Sequence, residues 1–226
     1  LVDAGLVRED TKGCRARASG AARTFKVCEK RFLSLLSLTA VHDIMKMSSL
    51  IPEVQEQHAP YHGYAEWDQI GDHDHALSYI MDHFPDILPS FRDLEHEERR
   101  ALQFTQCKFC FNHGWFVQAE GPPGAMLSSL KRVLKGASGI DLAFYFVHWL
   151  TDISGAEGTP LAGAEKLTRK FPLSVLVCFL WSMPYLQRLA DHSETEVVQD
   201  YLKARFRERY PHQPLPEGPA AMATAG

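Results

Sequence analysis

Seven apolar side chains, Phe25, Phe32, Leu35, Leu36, Leu38, Val41 and Met45, recur at the spacing that lines one face of an α-helix. Similar spacing returns along most of the chain. No segment shows the strict alternation of a half-buried strand, a hairpin turn or an internal repeat. The chain is therefore expected to be all-α. A first helix is expected over residues 24–47, followed by helices over 72–83, 93–116, 125–135 and 140–153. One or two more are expected between 163 and 191, with Pro172 as a boundary or kink. The last is announced by the capping-box pattern Ser193-Glu-Thr-Glu196, and Lys203, Arg205, Arg207 and Arg209 favour its C-terminal dipole.

This pattern is expected to give a poorly ordered lead-in over 1–22, a single all-α domain over 23–210 and a disordered Pro/Ala/Gly-rich tail over 211–226. Residues 48–71 form a long connection containing Pro52, Pro60 and Gly63, too polar for core. Its His58, His62, Tyr61, Tyr64 and Trp67 would either form a lid over a ligand or pack down on the core. The longest apolar run, Leu173 to Met183, lies between Pro172 and Pro184. It is shorter than the roughly 20 residues needed to span a bilayer, and is expected to be a buried core helix.

With 45% apolar residues and a net charge of −4, the composition is that of a globular domain. It lacks the basic excess that would point to nucleic acid and the charge block that would point to an anionic membrane. Five cysteines, an odd number, and no signal peptide fit a reducing, cytoplasmic setting. Cys107-Lys-Phe-Cys110 has no second Cys pair to complete a structural zinc site, so both are expected to be core cysteines. Beginning at Leu1 rather than Met, the chain is read as part of a larger protein. Nucleotide-binding Gly-rich loops, G-x-S-x-G and H-E-x-x-H are all absent.

The chemistry concentrates at helix ends. His42 and Asp43 stand where the first apolar run finishes, with Lys46 one turn on. On an ideal helix adjacent side chains diverge by about 100°. The pair can therefore grip one ion only where the helix frays or bends. Asp72-His73-Asp74-His75 opens a later helix, His113 follows Asn112, and His148 and Asp152 share a helix face at i, i+4. His148 is either a partner orienting Asp152 or a satisfied core histidine.

On these residues the chain resembles the HD-domain superfamily. Leu38-Thr-Ala-Val-His42-Asp43-Ile-Met-Lys46 is similar to that family's His-Asp signature, with Met45 where glycine is usual. Segments 72–81 and 147–152 look like those carrying an additional histidine and the final aspartate. The resemblance covers roughly residues 24–160. It implies an all-α, HD-domain-like helical bundle whose His42, Asp43, His73, His113 and Asp152 bind a divalent metal: Mn, Fe, Mg, Co or Zn. Asp43 and Lys46 would serve catalysis on a small phosphorylated substrate, such as a nucleotide or cyclic nucleotide. One branch of the superfamily is instead a di-iron oxygenase, and a degenerate member would be a ligand-binding or regulatory module. The family's helix before the pair carries a further histidine, and this chain has none before His42. That ligand lies upstream of Leu1, is replaced by Asp10 or Glu9, or is missing from a degenerate site.

Overall fold

A computed structural model describes residues 1–10, 24–108, 111, 113–119, 121–135, 138–155, 157–170 and 172–215. Its helices, in chain order, are α1 (Glu29–Val41), α2 (His73–His83), α3 (Pro89–Arg92), α4 (His96–Gln103), α5 (His113–Gln118), α6 (Pro123–Leu134), α7 (Gly139–Gly155), α8 (Pro160–Glu165), α9 (Leu173–Gln187) and α10 (Glu194–Arg209). The expected all-α character holds, with one small exception. Strands β1 (Val7–Glu9) and β2 (Phe25–Val27) pair antiparallel, with Val7 opposite Val27. The first helix thus starts at Glu29, after Cys28 at its N-cap. Phe25 and Val27 suit a strand as well as a helix, and Phe25 meets the helical spacing only by coincidence of register. The described part of the lead-in, residues 1–10, is tied down: Ala4 and Leu6 have no exposed surface, and Cys28 N–H donates to Leu6 O.

The chain divides into two units, Leu1–Phe109 with Gly139–Ile153, and Cys110–Ser138 with Ser154–Gly226. In the first, α1 packs on α3 and α4, and α2 packs on α4. Leu35, Leu38, Leu77, Tyr79, Phe91, Leu102 and Phe144 are among the buried residues of its core. The expected helix over 93–116 is interrupted. A π-helical turn, Phe104–Lys108, follows α4, and α5 starts again at His113. A π turn re-aims side chains that a regular helix would stack, and such turns are frequent at functional sites.

Helix α7 is tied to α1 at three levels. Asp141 lies 3.7 Å from the Arg31 guanidinium, Thr39 Oγ1 is 3.3 Å from Thr151 Oγ1, and His42 Nε2 is 3.0 Å from Asp152 Oδ1. The nearly constant offset in residue number means that the two helices run side by side in the same direction. At the first level Arg31 donates to Glu98 at 3.0 Å and to Ala4 O at 3.2 Å, and its guanidinium lies 4.4 Å from the Phe144 ring centre. Asp141 also accepts from Arg100 at 3.0 Å.

The connection over 48–71 packs down on α2 rather than standing over it. Tyr79 OH accepts from Gln55 N and bonds His58 Nδ1, Tyr61 OH donates to Asp82, and the His58 and His83 rings stack at 3.8 Å. Val54 and Ile70 are fully buried within it.

In the second unit α10 packs on α6 and α9, and α5 on α9, around Phe116, Leu127, Leu186, Tyr201 and Leu202. The capping box at Ser193 is formed in full, with Ser193 Oγ accepting from Glu196 N and Glu196 accepting from Ser193 N. Ser193→Ala should cost about 1 kcal/mol in urea unfolding, with unchanged slope. The apolar run over 173–183 is helical as expected, but it is not a buried core helix. Helix α9 passes through Pro184 and buries only Phe179, Ser182 and Leu186, while Leu173, Val177 and Leu180 on the opposite face are exposed. Helical spacing puts Phe179, Ser182 and Leu186 on one side, so one packed neighbourhood covers that side alone. By length and composition, Leu173–Ala190 is apolar enough to cross a membrane. Cys107 and Cys110 have side chains outside the described residues, as do 11–23 of the lead-in and 216–226 of the tail.

Candidate metal centre

Helix α1 stops where the chemistry begins. His42 is its C-cap, with φ −53° and ψ −35°, and Asp43 moves to φ −98° and ψ 0° before a 3-10 turn over Ile44–Lys46. That break removes the divergence an ideal helix would impose, and leaves Asp43 Oδ1 3.7 Å from His42 Nε2. The α7 register delivers Asp152 to the same place. Donor atoms of His42, Asp43 and Asp152 all lie within 4.8 Å of one another.

The tautomer of His42 follows from its partners. Nδ1 faces Thr39 O at 2.9 Å, and a carbonyl can only accept, so Nδ1 carries the proton. Nε2 then points a lone pair toward Asp152 Oδ1 at 3.0 Å. Two acceptors face each other unless a proton or a metal cation stands between them. With a proton there, the hydrogen bond to Asp152 raises the His42 pKa, and the same bond holds the Asp152 carboxyl below its usual range. Lys46 sits 2.7 Å from Asp43, and that hydrogen bond raises its pKa.

A second group stands beside the first. Asp72 caps α2 by accepting from His75 N at 2.9 Å, which places His73 at the first helical position. His73 Nε2 is 3.7 Å from Asp43 and 3.5 Å from Asp74, and Asp72, His73 and Asp74 form the other cluster of close donors. Burial raises the Asp74 pKa, and Gln106 donates to Asp74 Oδ1 at 2.8 Å.

A cavity of about 190 Å³ is lined by His42, Asp43, Lys46, His73, Asp74 and Asp152, and Thr105, Gln106, Tyr145, His148 and Trp149 complete its wall. Among the described residues, two of the residues that line it carry a buried polar atom without a hydrogen-bond partner, Thr105 Oγ1 and His148 Nδ1. His148 is 8% exposed, and its burial, with the nearby His42 charge, lowers its pKa to about 4. Oxygen and imidazole donors with unsatisfied polar atoms behind them suit a hard or borderline divalent cation.

Of the residues read from sequence, His42, Asp43, Lys46, His73 and Asp152 therefore line one cavity. His113 belongs to the second unit. Its Nε2 lies 2.7 Å from Ser182 Oγ, whose own proton goes to Phe179 O at 2.7 Å, so His113 donates. Burial pushes its pKa down to about 3. The unfolded chain binds this proton near pH 6.5 and the folded chain does not, so stability should fall as pH drops below about 6.5. At pH 5 this group alone should cost about 2 kcal/mol, and His113→Gln should flatten that slope in urea titrations. Asp10, one possible substitute for the upstream histidine, pairs with Lys26 at 2.9 Å, and among the described residues neither it nor Glu9 belongs to a group of close metal-donor atoms. Asp74, Thr105 and Gln106 were not singled out from sequence. Asp74 was signalled only by its place between two histidines, and the π turn that presents the other two has no sequence signature.

No protein-family model, curated protein or solved structure matches this chain.

Proposed function

We propose that the first unit is an HD-domain-like, metal-dependent phosphoester hydrolase. The observation that supports it most is the His42 Nε2 lone pair held against Asp152 by the Thr39 carbonyl, with Asp43 alongside. A backbone carbonyl fixing one ring nitrogen while the other meets carboxylates is the usual setting of a metal-ligating histidine. His42, Asp43 and Asp152 would hold the ion, Mn, Fe, Mg, Co or Zn. When bound, such an ion acidifies water toward neutrality and polarises a phosphoryl oxygen.

The chain's own residues account for the rest. The Lys46 ammonium stands at the cavity wall, half exposed, and can offset charge on phosphate oxygens. The cavity is smaller than the roughly 300 Å³ at the low end of ligand sites, so it would receive the phosphoryl group while the remainder of a small phosphorylated substrate stays outside. A nucleotide or cyclic nucleotide is the substrate that the resemblance to the superfamily brings.

Purified chain loaded with Mn²⁺ should hydrolyse members of a panel of phosphomonoesters, nucleotides and cyclic nucleotides. Metal retained with no turnover on any of them would sink the hydrolase. The second group, linked through Asp43 to His73, favours a second reading, a di-iron oxygenase. Two irons retained per chain, with oxygen consumed and no phosphoester cleaved, would select it. An intact fold that retains no metal would select a ligand-binding or regulatory module.

A further inference from the structure

We propose that His148 supplies a second imidazole to the ion held by His42, Asp43 and Asp152, an inference that rests on the metal reading above. His113 is as buried as His148, yet its Nε2 is matched to Ser182 Oγ. His58 Nδ1 is matched to Tyr79 OH. His148 Nδ1 is buried and has no hydrogen-bond partner among the described residues. A histidine kept only for packing would be satisfied or would be exchangeable for an apolar ring. A buried imidazole nitrogen without a partner, on a residue that lines a polar cavity, calls for an explanation, and an ion supplies one.

Its position fits. His148 precedes Asp152 by one helical turn on α7, so both project from one face. Its ring meets that of His42 edge-on, with centroids 5.1 Å apart, and it lines the same cavity. The other three donors offer one nitrogen and two carboxylates. Adding His148 gives two neutral imidazoles and two carboxylates, a four-donor set whose charge cancels that of a divalent ion. Its nitrogens do not belong to the 4.8 Å group, so the ring turns about its side-chain bonds as the ion enters. This imidazole comes from the helix that already brings Asp152.

The test uses the full chain and Co²⁺ alone, read by visible absorption and by competition with a chelator of known affinity. His148→Phe keeps the ring packing and removes the nitrogens. It should lower Co²⁺ affinity about 10- to 100-fold and shift the ligand-field bands, with unchanged circular dichroism. His148→Gln, which keeps a donor atom, should recover part of the loss, and it serves as the folded variant if the phenylalanine is not tolerated. Wild-type affinity and spectrum in both variants, with Co²⁺ binding lost in His42→Ala, would overturn the role of His148 and leave the metal centre standing. No Co²⁺ uptake by the unaltered chain would overturn both.

Discussion

Asp43→Ala is expected to purify without metal, where the unaltered chain retains it, and to keep its helical circular dichroism. Asp43 faces His42, Lys46 and His73 together, so its loss touches both donor groups. Its carboxylate is 43% exposed, and its ion pair with the half-exposed Lys46 is screened by water, so the fold itself should change by less than about 1 kcal/mol. The contrast appears on adding ion. At a free concentration of 100 times Kd, a bound metal stabilises the native state by about 2.7 kcal/mol, and that gain should vanish in the variant. Thermal melts with and without Mn²⁺, beside elemental analysis, measure it. Equal metal content in the two proteins would remove Asp43 from the site.

The largest loss of stability is expected at the far end of the same helix pair. Asp141 is 1% exposed and faces both Arg31 and Arg100. Arg31 is itself buried, and among the described residues its Nη2 has no hydrogen-bond partner and Glu98 is its remaining carboxylate. Asp141→Ala leaves that guanidinium enclosed without its second counter-charge, a change that typically costs about 3–5 kcal/mol. Urea unfolding should show a lower midpoint with the slope retained. Because Arg31–Asp141 and His42–Asp152 are tied at the two ends of α1 and α7, the variant should also bind metal more weakly than its residual stability alone requires. Unaltered stability would show that the buried charges are satisfied by other groups.

The sequence made the helices readable where periodicity and punctuation agreed. Asp72 and Ser193 cap as their side chains require, and Pro172 ends one segment and opens another. It was silent where structure depends on distant partners. The β2 segment has apolar residues compatible with either period, and its strand exists because Val7 pairs with Val27. The run over 173–183 reads as core because apolarity does not say how many neighbours will cover a helix. At the site, His42, Asp43, His73 and Asp152 were legible because helix ends combine with metal-ligand chemistry. His113 carries the same letter, and only the opposite Ser182 shows that its nitrogen is committed within the second unit. Thr105 and Gln106 were hidden, since a π turn depends on hydrogen-bond slippage that no residue pattern announces.

The parallel pairing of α1 with α7 has a consequence for biosynthesis. His42 and Asp152 are 110 residues apart in the chain, and the segment 110–138 is made between them. At ordinary translation rates the ribosome needs roughly 5 to 20 seconds to travel from one to the other. During that interval α1 has neither Asp141 for Arg31 nor Asp152 for His42. A nascent chain arrested before residue 139 should therefore be open to protease at α1 and unable to capture an ion. Both properties should change together once α7 has left the exit tunnel.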